Sequence, residues 1–171
     1  MLKIILVRHG ESTANAKGIL QGQKVDESLS ELGKAQAKKL AEALREEKIE
    51  AIISSDLKRA KETAEEISRI TGKKIILDKR IREKDHETEK GEDVKNRCAD
   101  FLEELKKYSG TIVVVSHGGP NRKILAISKG NRKEDFEFFS LVEQNNTCIN
   151  RISYENGIWT VHVVNDTSHI K

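Results

Sequence analysis

Three features of the amino-acid sequence predict an α/β fold built on a mostly parallel sheet. Strand-like and helix-like segments alternate along the chain. Its two most apolar runs, Leu2–Val7 and Thr111–Val115, are continuous rather than alternating, as strands buried on both faces are. Near the end, Glu155-Asn156-Gly157 separates two alternating runs, and Asn-Gly is a strong hairpin signal. Strands covered on both faces need helices on both faces. The expected architecture is therefore a three-layer sandwich, with a mostly parallel central sheet and a C-terminal antiparallel hairpin. At 171 residues the chain suffices for one well-filled core and is short for two, so residues 1–171 are read as a single domain.

The elements follow in order. Leu2–Val7 is a strand. Ser30 can N-cap a helix whose apolar positions Leu32, Ala35, Leu40, Ala43 and Leu44 fall on one face, with Gln36 beside Ala35. Ala51–Ile53 is a short strand. It is followed by the capping cluster Ser54-Ser55-Asp56, with Asp56 as the expected N-cap of the next helix. In that helix Ala60, Ala64, Ile67 and Ile70 form a stripe that stops at Gly72. Ile75–Leu77 is a third strand. Val94, Cys98, Phe101, Leu102 and Leu105 line a further helix that ends near Gly110. Thr111–Val115 is a strand, and a short helix runs from Gly118-Gly119-Pro120 to about Lys129. Thr147–Tyr154 and Ile158–Val164 form the hairpin.

Composition removes several classes of function. Lys+Arg 31 against Asp+Glu 28 gives a formal net charge of +3, which is mixed rather than one-sided. Aromatics are 4% of residues and interleave with no basic block, so no nucleic-acid partner is expected. No apolar run approaches 20 residues and the chain opens directly into a strand, so neither a membrane span nor a signal peptide is expected. Cys98 and Cys148 lie far apart and form no ligand pattern, which fits a reducing cytoplasm.

The chemistry-bearing residues gather where strands should end. Val7 leads into Arg8-His9-Gly10, and Val115 leads through Ser116 into His117-Gly118-Gly119. In open α/β sheets ligands bind beyond the carboxyl ends of the strands. If these two strands are neighbours, both imidazoles reach one crevice. Arg59 falls in the first turn of a helix that follows a strand, at the same edge of the sheet. A cation there opposes the helix dipole, and a bound anion would offset that cost. Taken singly, each of these residues also reads as a solvated or structural group. The repeated strand–His–Gly context favours a shared anion site.

In these residues the chain resembles the histidine phosphatase superfamily, also called phosphoglycerate mutase-like, along nearly its whole length. Arg8-His9-Gly10-Glu11-Ser12 is similar to its signature, with Asn15 following. Gln21-Gly22 and Leu29-Ser30-Glu31-Leu32-Gly33 are similar to its next blocks. Ser54-Ser55-Asp56-Leu57-Lys58-Arg59-Ala60 with Thr63-Ala64 resembles its second arginine motif. Ile81-Arg82-Glu83 resembles its acid motif, Gly91-Glu92 a Gly-Glu-Ser block, and Val115-Ser116-His117-Gly118-Gly119 its second histidine. Asn165-Asp166-Thr167-Ser168-His169-Ile170 resembles a tail found in many members.

The resemblance implies a metal-independent phosphatase without cofactor, acting on small phosphate monoesters through a phosphohistidine. It makes His9 the nucleophile and Glu83 the proton donor, with His117 also catalytic. Arg8, Asn15, Arg59, His117 and Gly118 are implied to hold the phosphate. Many members follow the acid motif with an aromatic stretch and a long insertion over the site. Here Lys84-Asp85-His86-Glu87-Thr88-Glu89-Lys90 leads almost at once into the next helix, and the tryptophan usually found near Asp26 is absent. An open, shallow pocket is expected, which leaves Asp85, His86 or Glu87 as alternative donors and argues against a mutase. Phosphoglycerate mutase and phosphoprotein phosphatase remain the alternative activities, and a phosphate-binding module is the alternative without turnover. Neither substrate nor oligomeric state is readable. Cys98, Cys148, Trp159 and His162 are read as packing or structural residues.

Overall fold

The computed structural model describes all residues, Met1–Lys171. Strand β1 (Leu2–Arg8) is followed by a single helical turn, α1 (Thr13–Ala16), and then by α2 (Glu31–Ala43), β2 (Ile49–Ser54), α3 (Lys58–Thr71) and β3 (Ile75–Leu77). A 3-10 turn at Lys79–Ile81 leads to α4 (Gly91–Leu105), β4 (Gly110–Ser116), α5 (Gly118–Lys129) and α6 (Lys133–Ser140). The hairpin β5 (Ile149–Glu155) and β6 (Ile158–Asp166) completes the sheet, and a last 3-10 turn spans Ser168–Ile170.

One six-stranded sheet runs in the order β3-β2-β4-β1-β5-β6. Its first four strands are parallel, while β5 runs antiparallel to β1, and β6 to β5. Helices α4, α5 and α6 bury Val94, Phe101, Ile124 and Phe139 against one face. Helices α2 and α3 bury Leu40, Ala60, Ala64 and Ile67 against the other. The continuous apolar runs of β1 and β4 supply both cores: Ile4, Leu6, Ile112 and Val114 point one way, Ile5, Val7, Val113 and Val115 the other. Each such burial is worth about 1.5–3 kcal/mol, so the two strands that carry the histidines are the most firmly held. No helix is long and apolar enough to cross a membrane.

Three local expectations need correction. Leu32 is 56% exposed, and the buried stripe of α2 is Gly33, Ala37, Leu40 and Ala41, rotated by about one residue. The rotation has a steric cause. Gly33 packs so closely on the Glu11 backbone that a Cβ would overlap the Glu11 carbonyl, so the helix approaches through its glycine. Asp56 does not cap α3, whose N-cap is Leu57 without a side-chain bond. Asp56 instead forms a bidentate pair with Arg82, Nε and one terminal nitrogen each at 2.6 Å, and the Lys58 N–H is taken by Asp26 Oδ1 at 2.7 Å. Helices α1 and α6 were not anticipated. The first is closed by a reciprocal Ser12–Asn15 cap, and the second buries only Asp135 and Phe139, too few positions to show a period.

Candidate active site

The register of β1 against β4 decides the site. Arg8 lies opposite Ser116, and the His9 N–H donates to the Ser116 carbonyl at 3.0 Å, so the ladder continues to the two histidines. Their rings lie 5.1 Å apart between centroids. His9 Nδ1 is 2.6 Å from the Gly10 carbonyl oxygen, which can only accept, so Nδ1 carries the proton and Nε2 is the free lone pair. His117 Nε2 bonds Ser55 Oγ at 2.8 Å, and its Nδ1 is buried without a partner. Burial holds both imidazoles well below their ordinary range, and the cations Arg8 and Arg59 push His9 the same way. Both rings are therefore neutral near pH 7.

Arg59 is 1% exposed, which excludes the solvated reading. It donates to the Gly22 carbonyl at 2.8 Å and stands 3.9 Å from Asp26, and its Nε has no partner. Arg8 donates to the Gln144 carbonyl at 2.6 Å, and its Nε is likewise buried and unpartnered. Burial lowers both guanidinium pKa values from their ordinary position. A buried cation bonded chiefly to carbonyls is costly, and an anion between the two would relieve it. The N-terminus of α5, starting at Gly118 with Pro120 in its first turn, opens onto the same place.

Glu83 closes the far side. Its carboxylate accepts the Lys84 N–H at 2.9 Å and the Gly119 N–H at 3.3 Å. A Cβ on Gly119 would overlap Glu83 Oε1, so a larger residue there would displace the carboxylate. Arg97 fastens the loop beneath it, donating to the carbonyls of Arg80 (2.6 Å), Arg82 (2.7 Å) and Glu83 (3.1 Å) while gripping Glu89 at 2.7 Å. Gln23 Nε2 bonds the Glu83 carbonyl at 2.9 Å from the opposite side.

Arg8, His9, Arg59, Glu83 and Gly119 line one cleft of about 350 Å³, whereas His117 and Gly118, both buried, do not line it. Asn15 is on its wall, with Oδ1 accepting the Ser12 N–H at 3.1 Å and the amide nitrogen left without a protein acceptor. Of the residues around Glu83, Lys84 and His86 also reach the cleft. Asp85 and Glu87 do not line it: Asp85 accepts the Glu87 N–H, and Glu87 pairs with Lys24. The expected shallowness needs qualification. His9 is 3% and His117 0% exposed, and the loop at Gly22, with φ of +55°, closes onto Lys84 and His86 at the cleft's edge.

Several participants were not singled out from sequence. Ser55 holds His117, and Thr63 Oγ1 accepts the Gly10 N–H at 3.0 Å while donating to the Arg59 carbonyl at 2.7 Å. Asn146 Nδ2 donates to the His9 carbonyl at 3.1 Å. Arg97, Arg122 and Lys123 belong with them. Of these, only Ser55 and Thr63 stood inside a family block.

The family model of the histidine phosphatase superfamily (branch 1) matches residues 4–88 and 84–167. The chain belongs to this superfamily. It is 39% identical over 156 residues to phosphoserine phosphatase 1 of Hydrogenobacter thermophilus, covering 71% of this chain and 74% of that one. It is 31% identical over 206 residues to the metal-independent phosphoserine phosphatase of Arabidopsis thaliana, covering 98% and 83%. Among solved structures, Bacillus stearothermophilus YhfR superposes over 100% of both chains with a TM-score of 0.89 at 25% identity.

Proposed function

We propose that this protein is a phosphatase that hydrolyses small phosphate monoesters through a phosphohistidine at His9, without a metal. The observation that carries the reading is the pair of buried, unpartnered arginine nitrogens, Arg8 Nε and Arg59 Nε, beside a histidine whose Nε2 lone pair is free. The names of the two relatives support phosphoserine as a first substrate to try.

The neutral His9 Nε2 attacks phosphorus in line, forming a P–N bond as the ester P–O bond breaks. Arg8, Arg59 and His117 hold the equatorial oxygens, where charge spreads in the transition state, with Asn15 and the N-terminus of α5 at Gly118 adding neutral donors. Glu83 gives its proton to the leaving alkoxide. It then takes one from the water that attacks phosphorus, and the P–N electron pair returns to His9. The two protonic steps balance, so Glu83 ends as it began. The whole of residues 1–171 serves this one site, and a cytoplasmic setting fits the free, buried Cys98 and Cys148, whose thiols burial pushes up to about 12 and about 11.

The test is phosphate release from a panel of monoesters together with acid-labile, base-stable phosphate on the protein during turnover. Both are expected in the native protein, and neither in His9→Ala. Phosphate moving between positions of phosphoglycerate without release would make the protein a mutase. Binding without release from any ester would make it a phosphate-binding module.

A further inference from the structure

The loop between α6 and β5, residues 141–148, carries none of the reacting groups, yet it holds a cluster of buried side-chain amides. Gln144 is 3% exposed, and Asn121 and Asn150 are 0%. Gln144 Oε1 accepts from Asn150 Nδ2 at 2.9 Å and from Asn121 Nδ2 at 3.2 Å, while Gln144 Nε2 donates to Asn150 Oδ1 at 2.8 Å. Asn150 is fixed in turn, donating to the Leu6 carbonyl of β1 at 3.0 Å and accepting the Asn165 N–H at 2.9 Å. Burying such groups is costly wherever a partner is missing, and Asn121 Oδ1 has none. Stability alone would favour apolar side chains here.

The backbone of the same Gln144 meets the phosphate cradle. Its carbonyl accepts from an Arg8 terminal nitrogen at 2.6 Å, the one hydrogen bond that the Arg8 side chain makes. A carbonyl in an irregular loop is only as well placed as the loop. Here the side chain on that residue is locked to Asn150, which lies opposite Leu6 on β1, just before Arg8 on the same strand. The tip of the guanidinium is thus held against the strand from which it starts, with Nε left unpartnered. Asn121, on the first turn of α5, ties that helix to the same amide. Gln144 Cβ also stands 3.9 Å from where a Cβ on Gly118 would sit. Arg8 and the N-terminus of α5 therefore share one anchor.

We propose that Gln144 is a positioning residue for Arg8: its side-chain amide, clamped between Asn121 and Asn150, places the carbonyl that orients the guanidinium toward phosphate. This rests on the phosphatase reading above and adds residues that touch neither the substrate nor the His9 side chain. A planar guanidinium binds an anion through directed hydrogen bonds, so a misdirected fork loses transition-state stabilisation while keeping its charge. Removing the Gln144 amide leaves Arg8 charged but free to turn. The Asn121 arm gives the clearest sign. Deleting it also removes an orphaned polar atom, so phosphate affinity falls without a matching loss of stability.

The experiment follows the native protein, Gln144→Leu and Asn121→Ala by Kd for inorganic phosphate from titration calorimetry, kcat/KM for p-nitrophenyl phosphate, and Tm without phosphate. Gln144→Leu is expected to weaken phosphate binding and kcat/KM by about tenfold, the size of one hydrogen bond to a charged group. Asn121→Ala should weaken both severalfold at unchanged Tm. A purely structural role would lower Tm and leave the phosphate affinity of the folded protein as it was. A cycle with Arg8→Ala identifies the route of the effect. In that background Gln144→Leu should change kcat/KM by less than about twofold, because the contact it serves is already gone. Should Gln144→Leu fail to fold, Asn121→Ala and its own cycle with Arg8→Ala decide. Native phosphate affinity in the variants, or losses that multiply in the cycle, overturn the positioning role and leave the phosphatase reading standing. If no ester releases phosphate, the phosphatase reading falls while the phosphate Kd values still decide whether Gln144 orients Arg8. A native protein that binds no phosphate overturns both.

Discussion

His9 and His117 occur in nearly the same sequence context, a buried strand followed by histidine and glycine, yet the fold treats them differently. After β1 the chain turns away, and the Gly10 carbonyl fixes the His9 Nδ1 proton, which leaves Nε2 bare. After β4 the chain enters α5 directly, and His117 is tethered by Ser55 with its other nitrogen unpartnered. Under the proposed function one ring attacks and the other is one of several donors around an anion. The partner of the second nitrogen, not the motif, sets the role of a histidine.

The largest expected effect breaks this comparison outright. His9→Ala should abolish phosphoenzyme and lower kcat by at least about 10⁴-fold, while His117→Ala should lose about 10²–10³-fold and still accept label on His9. Label equally absent from both would mean that the two rings share one role. Next, Glu83→Gln should slow alkyl esters by about 10²–10⁴-fold and p-nitrophenyl phosphate far less, since its leaving group needs little protonation. Arg97→Ala should reproduce that leaving-group pattern more weakly, because it loosens the carbonyls beneath Glu83 without removing the acid. Parallel slowing of both ester types would reduce Arg97 to a folding residue.

Smaller effects sharpen the contrast. Ser55→Ala frees His117 and the Leu57 N–H, and should lower kcat/KM by about tenfold with the phosphoenzyme still formed, as read by stopped-flow labelling. The smallest concerns stability. Both imidazoles have folded-state pKa values below their unfolded value of about 6.5. Above that pH neither state binds the protons, and these groups are without effect. As pH falls through about 6.5 the unfolded chain takes up protons that the native state refuses, so stability drops toward acid. Calorimetry from pH 8 to pH 5 should show Tm falling, with a flatter slope in His117→Gln and a smaller fall when inorganic phosphate is present.

Much of this was legible because the signals are local. The continuous runs of β1 and β4, the helical stripe ending at Gly72 and the Asn156-Gly157 turn each state their own conformation, and the structure has them as expected. Arg8, His9, Arg59, Glu83 and His117 were legible because scarce chemical types recur at strand ends and in family blocks. The roles of Ser55, Thr63 and Arg97 were not, because neither a family block nor a local window says which distant partner a serine, threonine or arginine will meet. Ser55 acquires its role from His117, 62 residues away, and Thr63 from Gly10, 53 residues away. The α2 face was misjudged for the same reason. Apolar spacing favoured Leu32, but a close approach to the Glu11 backbone required Gly33.

By itself the sequence determined the order of elements, the burial of the parallel strands and the chemical types available at their carboxyl ends. These follow from periodicity, apolar content and glycine punctuation within short windows. Only the tertiary structure decided which histidine nitrogen is free, which arginine nitrogens lack partners and that Arg122 and Lys123 line the same cleft as His9. Those facts depend on hydrogen-bond partners brought together by the β1–β4 register and by loops distant in sequence, and no local window contains them.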